Sequence, residues 1–148
     1  MIKSYGLLII FFIVSSITSL TTLAKQANAD HDNAITSPQT ILILGDSLSA
    51  AYGIPIEDAW VTLLDQSIAQ HFSKMSNNYQ IQNASISGET TDGGLRSLPA
   101  LLKKYQPAIV IIELGGNDGL RGFPLQTIEQ NLSSLITLSQ NQNAKVML

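Results

Sequence analysis

Ile41 to Leu44 is an uninterrupted apolar run closed by Gly45, the pattern of a short parallel strand buried on both faces. The period then changes. Trp60, Leu63, Leu64, Ile68 and Phe72 recur at helical spacing and predict an amphipathic helix. Tyr79 to Ala84 suits a second strand. Leu95, Leu98, Leu102 and Tyr105 mark a second helix, with Pro99 expected in its first turn or at a kink. Ala108 to Leu114, rich in Ile and Val, is the clearest strand. Pro124 opens a third helix at a favoured first-turn position, and its apolar face is Leu125, Ile128, Leu132, Leu135 and Ile136. Lys145 to Leu148 reads as the start of a fourth strand. Strand alternating with helix predicts an α/β fold with a parallel sheet covered on both faces. A pattern that stops inside a strand, at Val146-Met147-Leu148, suggests a truncated domain.

The N-terminus follows another pattern. Lys3 precedes the apolar run Leu7 to Val14, and the uncharged stretch continues to Ala24. Small-residue sites follow at Thr22-Leu23-Ala24 and Ala27-Asn28-Ala29. This is the pattern of a secretory signal over residues 1–29, cleaved after Ala24 or Ala29, and it predicts a periplasmic or secreted protein with no stable membrane anchor after cleavage. The rival is an uncleaved anchor, because the uncharged stretch is about long enough to span a bilayer. Polar Ser and Thr interrupt it after Val14, which favours cleavage. Residues 30–39 form a polar linker, and the domain runs from 40 to 148. From Asp30 onward six Lys and Arg face eleven Asp and Glu, a net −5 that argues against a nucleic-acid partner. With no cysteine, thiol catalysis, cysteine metal sites and disulfides are excluded, and the core alone must hold the domain.

In parallel sheets ligands bind beyond the carboxyl ends of the strands, so the residues after each strand carry the chemistry. Gly45-Asp46-Ser47-Leu48-Ser49 follows the first strand. It offers a serine hydroxyl to the crevice, and a helix starting next would aim its amides at that oxygen. The alternative is that Ser47 or Asp46 merely caps that helix. Ser49 stands where the α/β-hydrolase elbow has its last glycine, so this is not that motif. After the second strand comes Asn83 to Thr91, where the unshielded amide of Gly88 suits an oxyanion. An ordinary loop with Ser87 or Thr91 capping the next helix is the alternative. Gly115 to Gly122 places four glycines in eight residues after the third strand. Asn117 there has a side-chain amide to donate to an oxyanion, unless Asn117 and Asp118 only tolerate a left-handed turn.

Taken in order, the three turns resemble the SGNH (GDSL) hydrolases. Gly45-Asp46-Ser47-Leu48 looks like the first block, Gly88 like the glycine of the second, and Gly116-Asn117-Asp118 like the third. The stretches 41–49, 83–91 and 113–122 look especially like the bacterial periplasmic thioesterase, lysophospholipase and arylesterase subgroup. The resemblance covers about Thr40 to Leu148. It implies a flavodoxin-like three-layer α/β/α sandwich and hydrolysis of fatty acyl esters and thioesters through an acyl-enzyme on Ser47. It implies an oxyanion hole of the Ser47 and Gly88 amides with the Asn117 side chain, Asp46 and Asp118 in support, small acyl ester or thioester substrates, and neither metal nor organic cofactor. Ala51 stands where close relatives often have glycine, which implies a stiffer loop.

The family's Asp-x-x-His block, the source of base and orienting carboxylate, does not occur in the chain. His31 lies upstream of the first strand. His71 falls near the end of the first helix, where capping or packing is its expected role. Glu113 is expected to be paired or partly exposed, Arg121 to brace its loop, and Trp60 to join the core. The sequence therefore supports a serine hydrolase. Its rivals are an inactive fragment or non-hydrolytic acyl-binding remnant, and a nucleotide-binding module disfavoured by the lack of a Gly-rich phosphate loop.

Overall fold

The computed structural model describes residues 39–71 and 79–148. The expected signal segment, most of the linker, His31 and Phe72 lie outside them. Four parallel strands form one sheet: β1 (Gln39–Gly45), β2 (Tyr79–Asn83), β3 (Ile109–Glu113) and β4 (Lys145–Met147), in the spatial order β2-β1-β3-β4. The helices are α1 (Trp60–His71), α2 (Thr91–Tyr105), the short α3 (Gly116–Leu120) and α4 (Leu125–Gln140). The expected alternation is present, and the strand order is that of flavodoxin-like sheets.

β1 is central and Thr40 to Gly45 are all buried, as its unbroken apolar run requires. Leu42 and Leu44 face one layer, where Leu98 and Leu102 of α2 and Leu135 of α4 meet Val110 and Ile112 of β3. Ile41 and Ile43 face the other, against Val61, Trp60 and Ile68 of α1. The period-two alternation of β1 therefore makes the three layers. Truncating any of these fully buried leucines to alanine is worth about 2–5 kcal/mol.

Several details depart from the sequence pattern. Leu63 is 50% exposed and Leu125 is 82% exposed, so neither belongs to the buried stripe of its helix. Val61 takes the place beneath α1, one residue after Trp60. Pro99 lies in the interior of α2 and not in its first turn; the helix runs on through it to Tyr105. Thr90 caps α2, accepting the Gly93 N–H on Oγ1 at 3.2 Å, so the cap is neither Ser87 nor Thr91. The glycine-rich stretch after β3 is mostly helical. Of its glycines only Gly115 and Gly122 have positive φ, and Asn117 and Asp118 sit in α3 and not in a left-handed turn.

Candidate active site

The chain leaves β1 for β2 on one side and later returns to β3 on the other. The crevice beyond the carboxyl ends of β1 and β3 is thus the switch point where such sheets bind ligands. Ser47 lies there, half-buried, two residues after β1. No helix starts behind it: residues 47–53 form successive turns, so the helix N-terminus expected at the serine is absent. Asp46 shapes the turn instead. Its Oδ1 accepts the Leu48 N–H at 3.0 Å, a local side-chain turn that leaves Ser47 at the bend.

Gly45 makes the exit from β1 possible. A Cβ there would lie 2.6 Å from Ser49 Oγ and 2.9 Å from Ser85 Oγ, closer than real atoms approach. Ala51, further along, has φ +57°, a left-handed conformation that a residue with a side chain adopts at a cost.

Asn117 joins the three turns. Its Nδ2 donates to Asp46 Oδ2 and to the Glu89 carbonyl, each at 3.0 Å. Asp46 is next to Ser47 and Glu89 is next to Gly88, so one side chain after β3 holds the turns after β1 and β2 together. Gly88 has φ +81°, and its carbonyl accepts from Arg121 Nη2 at 2.9 Å, the loop-bracing role expected of Arg121. Among the described residues, the main-chain N–H groups of Ser47 and Gly88 and the Ser47 hydroxyl make no hydrogen bond.

Asp118 faces away from this cluster. Fully buried, its carboxylate accepts the Thr91 N–H at 2.9 Å and the Thr91 hydroxyl at 2.5 Å, and Asn131 Nδ2 donates to the same hydroxyl at 2.9 Å. The negative charge lies at the N-terminus of α2, where the helix favours it. Asp118 thereby fixes α3, and with it Asn117, against α2 and α4.

Ser49 and Asn83 carry contacts that the sequence pattern does not reveal. Ser49 is fully buried; its hydroxyl donates to Glu113 Oε2 at 2.9 Å and accepts from Trp60 Nε1 at 3.2 Å. Its carbonyl accepts from Asn83 Nδ2 at 2.7 Å. A Ser-x-Ser pair after a strand gives no sign of which hydroxyl turns inward. Glu113 is partly exposed, one of the two expected alternatives; it is hydrogen-bonded by Ser49 and forms no ion pair among the described residues. Burial holds its carboxyl above the ordinary glutamate value, the nearby Asp46 charge adds to this, and the bonds from Ser49 and the Asp46 N–H oppose it.

His71 is not part of the site. It is exposed at the C-terminal end of α1, its Nδ1 3.3 Å from the Ser67 carbonyl. Trp60 at the other end touches Ser49, and a separation of eleven positions puts His71 roughly 16 Å further along the helix axis.

The sequence model of the GDSL-like lipase/acylhydrolase family matches residues 43–148. The esterase TesA of Pseudomonas aeruginosa is 43% identical over 136 residues, covering 92% of this chain and 61% of the relative. The thioesterase 1/protease 1/lysophospholipase of Escherichia coli is 48% identical over 109 residues, 74% of this chain and 49% of the relative. Among solved structures, the psychrotrophic esterase EstA from Pseudoalteromonas sp., inhibited by monoethylphosphonate, superposes with a TM-score of 0.67 at 52% identity, covering 74% of this chain and 58% of that one. The chain thus spans about half to three fifths of the length of the relatives it matches.

Proposed function

The chain belongs to the GDSL-like lipase/acylhydrolase family, and on that footing we propose that it carries the nucleophile and oxyanion hole of a periplasmic or secreted hydrolase of acyl esters and thioesters. The observation that carries the reading is the bridge by which Asn117 draws the Ser47 and Gly88 turns to one place.

Ser47 Oγ attacks the acyl carbonyl carbon as its proton passes to a base. The carbonyl π electrons move onto oxygen, which takes hydrogen bonds from the Ser47 and Gly88 N–H groups and from Asn117 Nδ2. Both Asn117 protons are engaged in the free protein, so the oxyanion replaces one existing acceptor. That exchange is selective, because a developing full charge competes for the proton better than a neutral carbonyl does. The alcohol or thiol then departs with the proton, leaving an acyl ester on Ser47 that water hydrolyses by the same steps. Asp46 and Asp118 hold Asn117 in place. The substrate class follows the names of the relatives, an esterase and a thioesterase/lysophospholipase.

The base is supplied in this family by the Asp-x-x-His block, and no histidine among the described residues lies beside Ser47. This favours a second reading for the 148 residues taken alone: a folded acyl-binding unit with little turnover. Without a base to take its proton, a serine hydroxyl is a poor nucleophile, and removing the base of a serine triad costs on the order of a million-fold in turnover. The chain assayed on a short-chain nitrophenyl ester should therefore not exceed its Ser47→Ala variant. Turnover that depends on Ser47 would show that another residue serves as base, His71 being the first to re-examine.

A further inference from the structure

Gly45 pairs in register with Glu113 across β1 and β3, which brings the Glu113 carboxylate beneath the turn that presents Ser47. A single oxygen, Oε2, accepts from both flanks of that turn: the Asp46 N–H at 3.4 Å before Ser47 and the Ser49 hydroxyl at 2.9 Å after it. Ser49 is pinned further by Trp60 Nε1 on its hydroxyl and Asn83 Nδ2 on its carbonyl. Ser49 packs over Gly45 so closely that a Cβ on residue 45 would lie 2.6 Å from its hydroxyl oxygen, so the arrangement needs glycine there. The ends of β1, β2 and β3 and the start of α1 thus meet at one buried serine that is not the nucleophile.

We infer that Glu113, acting through Ser49 and the Asp46 N–H, is a positioning residue that sets the conformation of the Ser47 turn. The inference rests on Ser47 being the nucleophile for its catalytic meaning, but the geometry stands without it. Neither Glu113 nor Ser49 touches the reacting atoms. The groove beside Glu113 is lined by Trp60 of α1, Ile111 and Ile112 of β3, Leu114, Leu132 of α4 and Leu148, whose side chains are uncharged. Asp46 is the charged side chain that acts on Glu113. The ionisation state of Glu113 therefore bears directly on the turn: a carboxylate accepts both bonds strongly, and a protonated acid accepts them weakly.

Trp60 is the single tryptophan, so its indole N–H is a unique reporter of this network. The test is a pH titration of the full 148-residue chain, uniformly labelled with nitrogen-15 and followed by proton–nitrogen correlation spectra. The Trp60 indole peak and the main-chain peaks of Asp46 and Ser47 should move together, with a midpoint above the ordinary glutamate value. Glu113→Gln should remove that step from all three while leaving the spectrum folded. Ser49→Ala should uncouple the indole and leave the Asp46 peak titrating, which keeps the inference testable if the glutamine variant fails to fold. A static Ser47 peak, or an indole step that persists in Ser49→Ala, would overturn the inference. A failure to detect acylation or phosphonylation at Ser47 would count against the nucleophile assignment and leave this titration unaffected.

Discussion

Asn117 has two protons and two acceptors in the free protein, and the proposed mechanism asks it to exchange one of them for an oxyanion. In a form of the enzyme that carries its base, Asn117→Ala should cost roughly 100- to 1,000-fold in turnover with little change in KM, because the exchange occurs at the transition state. Equal turnover in the two enzymes would remove Asn117 from the mechanism. Ala51 makes an independent point about the same loop. At φ +57° its Cβ crowds the backbone, and Ala51→Gly should raise stability by roughly 1 kcal/mol, read as a higher urea midpoint. A lower midpoint would mean that the chain entropy lost by glycine outweighs the relieved strain. The sequence marked Ser47, Gly88 and Asn117 because each follows a strand and carries chemistry on its own. It did not mark Ser49 or Asn83, whose roles come from contacts across 34 and 64 residues that no local pattern encodes.

At the scale of elements, buried Asp118 and half-buried Glu113 show how carboxylates fix the turns after the strands. Asp118→Ala removes a charged acceptor from the Thr91 N–H and hydroxyl and should cost roughly 2–3 kcal/mol, with the loss visible in the thermal midpoint. Glu113 gives a pH dependence of definite sign. Its pKa is raised on folding, so the folded state holds the proton more tightly than the unfolded chain. Stability from this group is therefore highest below the ordinary glutamate value, and falls as pH rises through that value to the raised one. Glu113→Gln should flatten that part of the urea-denaturation curve, from the ordinary glutamate value upward. A wild-type curve that rises over the same window, and is unchanged by the substitution, would contradict the burial argument. Helix and strand positions were legible because the continuous apolar runs of β1 and β3 and the helical spacing of α2 are strong. The buried faces of α1 and α4 were less so. An apolar residue at helical spacing is buried only if another element covers it, and Leu63 and Leu125 lack such cover.

Among the described residues, one stretch of exposed apolar surface lies at the β4 edge, apart from the exposed apolar side chains of the turns after β1, β2 and α3. β4 bonds to β3 and forms an edge of the sheet, and Leu148 lies between two apolar grooves of about 410 and 430 Å³. Leu125 and Leu148, which line them, are exposed, as is Met147 on β4. Surfaces of this kind promote self-association, so the chain should show concentration-dependent light scattering that Leu125→Lys reduces. The grooves were foreshadowed by the apolar α4 face, but their shape is a tertiary fact. The turn after β1 presents the proposed nucleophile, and the measurement that tests it most directly is covalent. The chain is joined after Leu148 to the remaining segment of the Pseudomonas aeruginosa relative, exposed to a fluorophosphonate, and the adduct located by fragmentation mass spectrometry. One phosphonyl group on Ser47, absent from Ser47→Ala, is the predicted result. An adduct that persists in the Ser47→Ala protein, on Ser49, Ser85 or Ser87, would contradict the account.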